Sequence, residues 1–152
     1  MPSSRAIEVI ARGLLIEKGR VLVCRNLRHG YCFLPGGHVE FGEPARVALQ
    51  REFVEECGLE VEVGDCRLAE EHLFGAGPKT HHELNLVFHV ERLSRGPFVS
   101  REPKIGFEWI AITDLNGTEF LPLQVRDWIC RDSGQVAVTP TAVWMSTDSR
   151  PD

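Results

Sequence analysis

Long apolar segments are missing from this sequence of 152 residues. Its longest apolar runs are GLLI, VLVC and LNLVFHV, whereas a membrane-spanning helix needs roughly 20 apolar residues. The first ten residues, MPSSRAIEVI, also lack the apolar segment that is typical of a secretory signal. With 43% hydrophobic residues, the composition is sufficient for a buried core. We therefore expect one globular domain over residues 1–152, without membrane association.

Paired cysteines and basic tracts are also missing. The sequence has five cysteines, an odd number, and no two of them have CxxC spacing. This pattern argues against a disulfide framework or a structural zinc site and favours a reducing, cytoplasmic location. The formal net charge is -5, and the sequence has no run of basic residues. We therefore expect no binding of polymeric nucleic acid.

Alternating apolar and polar residues predict a sheet that is interrupted by two helices. The runs at about Ile7–Ile16 and Arg20–Cys24 flank the turn-like EKG, which predicts an antiparallel pair. A helix is predicted between Pro44, which suits a first helical turn, and Gly58, which suits the left-handed position after a helix end. TEFLPLQVRDWICRD predicts a second helix. Further strands are predicted in LEVEVGDCRLAEEHLF, HELNLVFHVERL, FEWIAI and VAVTPTAVWM.

The first predicted helix carries Glu52, Glu55 and Glu56 within about one turn, beside its apolar stripe. A solvated acidic face is the ordinary interpretation of such a charge run. It fits poorly here, because like charges at these spacings repel and only Arg51 and Glu55 form an opposite-charge pair along the helix. A divalent metal ion would remove the repulsion. Oxygen ligands favour Mg²⁺ or Mn²⁺ over zinc.

The residues around this helix resemble the box motif of the Nudix hydrolase family, in its MutT-like form. The box spans residues 37–59, and its pattern of glycine, glutamate and arginine positions is matched throughout. One position differs, since Phe53 stands where the family usually has an aliphatic residue. The matching residues are Gly37, Glu43, Arg51, Glu52, Phe53, Glu55, Glu56, Gly58 and Leu59. The resemblance implies an α/β/α sandwich in which a mixed β-sheet lies between helices.

The same resemblance implies metal-dependent hydrolysis of a diphosphate linkage in a small nucleoside diphosphate derivative. Arg51 is then expected to orient the glutamates, and Glu43 to support the same cluster. The expected ligands of Mg²⁺ or Mn²⁺ are Glu52, Glu55, Glu56 and the carbonyl of Gly37.

The general base is not identified by the box alone. Some family members use a box glutamate, and others use a carboxylate from a later loop. Glu108, in GFEWI, resembles the additional metal-site carboxylate of MutT-type enzymes, although an exposed glutamate at the start of a strand is an equal alternative. Glu83 and Glu102 are weaker candidates for the same role.

Residues outside the box are candidates for binding the substrate. His38, His81 and His82 either contact a phosphate or a base, or are ordinary surface histidines. Gln124, in FLPLQ, lies where MutT-type enzymes carry an amide that recognises the base. Four aromatic residues either stack on a base or belong to the core. They are Tyr31, Phe74, Trp109 and Trp128.

Substrate markers of other Nudix groups are missing. ADP-ribose hydrolases often carry a proline after the box, and dinucleoside polyphosphate hydrolases a tyrosine, but LFGAG occupies that region here. This favours a MutT-like (d)NTP pyrophosphohydrolase. The alternatives are an ADP-ribose, nucleotide-sugar or dinucleoside polyphosphate hydrolase, a non-catalytic nucleotide sensor, and a structural cation site in an interaction domain. Homodimers are common in the family, and the sequence shows no decisive interface.

Overall fold

The computed structural model describes residues 5–132 and 142–152. These two ranges contain two α-helices, nine strands and two short 3₁₀ helices. The helices are α1 (Ala45–Cys57) and α2 (Leu123–Asp132). The strands are β1 (Glu8–Leu14), β2 (Ile16–Glu17), β3 (Arg20–Asn26), β4 (Cys32–Phe33), β5 (Gly36–His38), β6 (Val61–Phe74), β7 (His81–Arg92), β8 (Ile105–Ala111) and β9 (Val143–Asp148).

A five-stranded sheet has the order β5-β1-β7-β6-β9. The pairs β1–β7 and β6–β9 are parallel, and the other two pairs are antiparallel. The prediction of a mixed sheet is therefore confirmed. The strand predicted in VAVTPTAVWM is observed from Val143 onward, and residues 136–141 of that prediction lie outside the described residues.

A second sheet is built around β3. Strand β8 pairs with the whole of β3, and the short strands β2 and β4 pair with its two ends. The predicted antiparallel pair around EKG is only partly correct, because Ile16–Glu17 pairs with β3 whereas β1 pairs with β5 and β7. The apolar run of Ile7–Ile16 is therefore divided at Leu15, and its two parts belong to different sheets.

Two apolar clusters cover opposite faces of the larger sheet. Leu49 and Phe53 of α1 pack with Ala11 of β1, whereas Trp128 and Ile129 of α2 pack with Leu14 of the same strand. Side chains of adjacent strand residues alternate between faces, and an odd and an even position of β1 thus meet different helices. This is the α/β/α layering that was predicted.

The ends of α1 and its unusual phenylalanine both have local explanations. Pro44 precedes the helix with extended backbone, and Gly58 follows it at φ 69°, in the left-handed region. The predicted helix end at Gly58 is confirmed, whereas Pro44 immediately precedes the helix and is not part of its first turn. The ring of Phe53 fits because β1 has Gly13 opposite it, where an added Cβ would lie 2.7 Å from the ring. Glycine in β1 thus compensates for the larger side chain.

Candidate active site

Arg51 connects the acidic residues of the box. Its guanidinium donates two hydrogen bonds to the carboxylate of Glu43, from Nε at 2.8 Å and from Nη2 at 3.0 Å. Nη1 donates to Glu52 at 3.0 Å and to Glu55 at 3.2 Å, while Nη2 also donates to the carbonyl of His38 at 3.1 Å. The planar fork of arginine suits such multiple contacts, and they lower the pKa of Glu43.

Glu56 differs from the other candidate ligands in the state of its carboxyl group. Burial, together with the nearby charge of Glu52, raises the pKa of Glu56 to about 7, and Arg12 acts in the opposite direction. Glu55 is exposed by comparison, with 58% of its side chain accessible. Desolvation therefore disfavours the ionised form of Glu56, and a bound cation would stabilise that form.

Gly37 brings backbone directly against this cluster. It lies in β5, opposite Ala11 of β1, and a Cβ added at this position would be 2.4 Å from the carboxyl carbon of Glu52. Only glycine lets the strand approach so closely. The main chain of residue 37 is therefore placed beside the same carboxylate that Arg51 contacts.

The donor set fits a hard divalent cation. The candidate ligands are oxygen atoms of carboxylates and of a backbone carbonyl, as Mg²⁺ and Mn²⁺ prefer. Within residues 5–132 and 142–152, no three His, Cys, Asp or Glu side chains converge closely enough to share an ion. The oxygens of Glu52 and Glu55 point instead to Arg51. Convergence on one ion would require these side chains to rotate.

A cavity of about 750 Å³ opens on the face of the larger sheet that carries α2. One wall comes from strands β1, β4, β6 and β7, and the other comes from the start of α2. The lining residues are Arg12, Tyr31, Phe33, His72, Phe74, Glu83, Asn85, Leu121, Pro122, Leu123, Gln124, Asp127 and Ser149. Aromatic rings and a few polar groups in a concave site are typical of small-molecule binding.

Arg12 links the cavity to the acidic cluster. It lines the cavity, lies 5.5 Å from the ring centroid of Phe33 and donates to the carbonyl of Leu34 at 3.2 Å. Its charge interacts with those of Glu52 and Glu56. Burial lowers its pKa, but a guanidinium stays charged at neutral pH. No sequence motif marked Arg12, although an arginine between the apolar residues Ile10 and Leu14 of a predicted strand was a usable signal.

The family model described as NUDIX domain matches residues 5–130. The chain belongs to the Nudix family. It is a Nudix hydrolase, and the enzymes of this family act on phosphoric anhydride bonds in small nucleotide substrates, generally with a divalent metal ion.

Similar proteins agree with this assignment. A protein of Mycobacterium tuberculosis (strain CDC 1551 / Oshkosh) named putative 8-oxo-dGTP diphosphatase 2 is 28% identical over 142 residues, which cover 80% of this chain and 85% of that protein. The crystal structure of a MutT protein from Bacillus halodurans has a TM-score of 0.76 at 19% identity, covering 96% of this chain and 92% of the other. An ADP-ribose pyrophosphatase from Streptococcus suis 89-1591 has a TM-score of 0.67 at 14% identity, covering 93% and 100%. At these identities the two structures establish the fold alone.

Two carboxylates outside the box occupy different environments in this Nudix hydrolase. Glu108 forms an ion pair with Arg25 and accepts a 2.8 Å hydrogen bond from its Nε. Glu102 instead contributes its charge to the raised pKa of Glu56. The loop that carries Glu102 is held against α1, since the backbone N–H of Arg101 donates to the carbonyl of Glu56 at 2.7 Å. The structure therefore associates Glu102, not Glu108, with the box.

Two of the candidate histidines, His38 and His82, form side-chain contacts outside the cavity. His38 Nε2 lies 3.0 Å from Glu8 Oε1, and His82 Nε2 lies 2.8 Å from Glu71 Oε1. Strand β7 begins at His81, one residue before the predicted strand HELNLVFHVERL, and both His81 and His82 pair with β6. His82 lines a separate hollow of about 560 Å³.

Gln124 and two of the aromatic candidates do line the cavity of the Nudix hydrolase. Tyr31 and Phe74 contribute to its walls, whereas Trp128 is a core residue that is only 2% exposed. Trp109 packs against Phe98 with the ring centroids 5.8 Å apart. The two tryptophans are thus structural, as the alternative interpretation expected. Neither described helix is long and apolar enough to cross a membrane.

Proposed function

We propose that this Nudix hydrolase is a Mg²⁺- or Mn²⁺-dependent pyrophosphohydrolase of nucleoside triphosphates or their deoxy forms. Support comes from Arg12, which lines the cavity and interacts electrostatically with Glu52 and Glu56. A nucleotide with its base in the cavity would extend its negatively charged phosphates past this guanidinium toward the box. Cationic side chains of this kind position phosphates for hydrolysis.

The box residues take the roles that their contacts support. When bound by Glu52, Glu55, Glu56 and the carbonyl of Gly37, the metal ion would neutralise phosphate oxygens and activate a water molecule. Arg51 donates hydrogen bonds to the carboxylates of both Glu43 and Glu52. Because neighbouring groups orient the metal ligands, replacement of Arg51 or Glu43 should weaken the affinity for the metal ion.

We assign the additional carboxylate of the site to Glu102 in preference to Glu108. Support comes from the electrostatic interaction between Glu102 and Glu56 and from the ion pair that engages Glu108 with Arg25. Glu102 would serve as a further ligand or as the general base. The paired variants E102Q and E108Q separate the two assignments, since only E102Q should lower turnover at saturating substrate.

The base is expected to lie between the aromatic walls of the cavity. Tyr31 and Phe74 offer faces for stacking, and Gln124 provides both a donor and an acceptor for the base edge. We propose Gln124, and not His38 or His82, for base recognition. The name of the mycobacterial relative makes 8-oxo-dGTP a substrate to include in the test.

The test is hydrolysis of a nucleotide panel by the wild type and by E56Q, with Mg²⁺ or Mn²⁺. The panel contains dNTPs, NTPs, 8-oxo-dGTP, ADP-ribose, nucleotide sugars and dinucleoside polyphosphates. Release of pyrophosphate and a nucleoside monophosphate by the wild type alone supports the proposal. Preferred cleavage of ADP-ribose, a nucleotide sugar or a dinucleoside polyphosphate would reassign the substrate. Binding without any turnover would indicate a sensor.

We further propose a cytoplasmic enzyme. All five cysteines are free in the structure, which suits a reducing compartment. Sedimentation of the purified protein would distinguish a monomer from the homodimer that is common in the family.

A further inference from the structure

A buried carboxylate lies behind the wall of the cavity. Glu70 of β6 is fully buried, with 0% exposure. Its Oε2 accepts a hydrogen bond from Nδ2 of Asn85 at 2.9 Å, and its Oε1 is buried without a hydrogen-bond partner. Burying a carboxylate oxygen without a hydrogen-bond partner costs free energy. Its presence here therefore calls for an explanation.

Asn85 lies between Glu70 and the cavity. Its side chain lines the cavity, yet the residue is only 2% exposed. Its Nδ2 also donates, over a longer 3.4 Å, to Oε2 of Glu83. Both contacts use acceptor oxygens, which identifies the atom between them as the amide nitrogen. The amide thus holds two carboxylates on one side of the cavity.

Glu83 is the member of this group that a ligand would reach. It lines the cavity and is partly exposed there. Across the described parts of the chain, no cation forms an ion pair with Glu83, although Arg12 interacts with it at longer range. An ionised carboxylate only accepts hydrogen bonds. This part of the cavity is therefore suited to a ligand group that donates them.

We propose that Glu83, positioned by Asn85 and Glu70, makes the enzyme prefer nucleotides whose base carries an exocyclic amino group over those with an oxo group or no group at that position. An amino group donates to Glu83, whereas an oxo group presents an acceptor to an acceptor and leaves both unpaired. Discrimination of about tenfold or more is expected from such a mismatch. This inference rests on the proposed function only in taking the ligand to be a nucleotide.

The experiment compares kcat/KM for nucleotides that differ at one exocyclic position. Suitable pairs are dCTP with dUTP, dATP with dITP, and dGTP with dITP. The wild type should prefer the amino member of at least one pair by about tenfold or more, and E83Q, whose amide also donates, should reduce that preference to near unity. Equal use of both members of every pair by the wild type would overturn the inference. So would an unchanged preference in E83Q.

The positioning role of Glu70 has its own test. Replacing Glu70 with leucine removes the acceptor for Asn85 and should raise KM for the amino member several-fold while kcat stays within about twofold. E70Q retains an oxygen for Asn85 and should restore KM. The matched control is E71L, because Glu71 is the next residue of β6 and contacts His82 and Ser146 instead. Equal kinetics for E70L and E71L would exclude the role.

Binding measured separately distinguishes this inference from the proposed function. Calorimetric titration of the metal-loaded protein with non-hydrolysable α,β-methylene analogues of one such pair reports base preference without turnover. Tighter binding of the amino analogue by the wild type but not by E83Q would support the inference even if no nucleotide is hydrolysed. Equal affinities would reject it even if hydrolysis is fast.

Discussion

At the residue scale, Arg51 and Glu56 have contrasting environments within the box. Arg51 forms hydrogen bonds with Glu43, Glu52 and Glu55, so most of the acidic charge has a partner within the protein. Glu56 is different, because burial and the charge of Glu52 raise its pKa to about 7. It therefore gains the most from a bound cation.

Glu56→Gln should abolish most activity and leave the fold intact. Glutamine keeps the shape of the side chain but lacks the charge that binds a metal ion, and we expect kcat/KM to fall roughly a hundredfold or more. Glu55→Gln should also lose most activity. The measurement is steady-state hydrolysis of the preferred nucleotide, with circular dichroism to verify folding.

Glu62→Gln is the control for these variants, because Glu62 is an exposed residue of β6 and should behave as the wild type. Wild-type turnover in both Glu55→Gln and Glu56→Gln would remove the basis for the metal site.

At the element scale, the end of α1 positions the loop beside it. Gly58 follows the helix at φ 69°, and its backbone N–H donates to the carbonyl of Val54. The loop containing Arg101 packs at this point, where an added Cβ on Gly58 would be 2.6 Å from its guanidinium. The helix end and the loop with Glu102 are thus placed together by one glycine.

Gly58→Ala should destabilise the protein by about 1 to 2 kcal/mol, because an alanine in the left-handed region is strained and a glycine is not. The added methyl group should also displace Arg101, and with it Glu102, so that activity falls further than stability alone explains. Urea denaturation and steady-state kinetics measure the two effects.

Gly42→Ala is the matched control, since Gly42 is also left-handed, at φ 81°, and a Cβ there would meet no atom within 4 Å. If both alanine variants had the same free energy of unfolding, the packing described for Gly58 would be incorrect.

At the scale of the whole molecule, two carboxyl groups have pKa values raised to about 7 because the fold desolvates them. They are Glu56 in the box helix and Glu70 beneath the cavity. Both couple stability to pH, and Glu56 also couples stability to metal binding.

Glu70 should make the protein less stable as the pH rises from about 4.5 to about 7. Burial raises its pKa to about 7 in the folded protein from an ordinary 4.5. In this interval the folded state keeps a proton that the unfolded chain has released, so the free energy of unfolding falls with rising pH. The contribution is roughly 2 to 3 kcal/mol over the interval. Urea denaturation of the wild type and E70Q at both ends of the interval measures it.

E70Q should lack this part of the pH dependence, because glutamine does not titrate. The control is E62Q, which should show the pH dependence of the wild type because Glu62 is exposed. Identical pH dependence in E70Q and the wild type would contradict the assignment to Glu70.

A saturating divalent ion should raise the thermal midpoint of the wild type by several degrees, since a ligand that binds only the folded state stabilises it. The rise should be much smaller in E56Q, where one expected ligand is lost. Melting curves with EDTA, Mg²⁺ and Mn²⁺ measure this. Removal of the metal by EDTA should also stop hydrolysis, and readdition should restore it.

An equal shift of the thermal midpoint in the wild type and E56Q would place the stabilising ion outside the box. Continued hydrolysis in EDTA would contradict a role of the metal in the reaction.

The local pattern of the sequence determined the box helix, its two ends and the class of reaction. Helix capping, charge spacing and strand alternation depend on neighbouring residues, so the limits at Pro44 and Gly58 and the strands β6, β7 and β8 were predictable. The box carried enough specific positions to indicate the family. The 3.6-residue repeat placed its glutamates close together on one face of that helix.

Tertiary structure decided which residues distant in sequence meet in the cavity and beside the box. Parallel pairing of β1 with β7 brings Arg12 and Glu83, 71 positions apart in the numbering, to one cavity, and antiparallel pairing of β6 with β7 joins Glu70 to Asn85. The proposal of Glu102 in place of Glu108 likewise rests on the loop that lies against the end of α1. Such contacts come from strand register and long-range packing, and burial then sets the charge state of the residues that meet there.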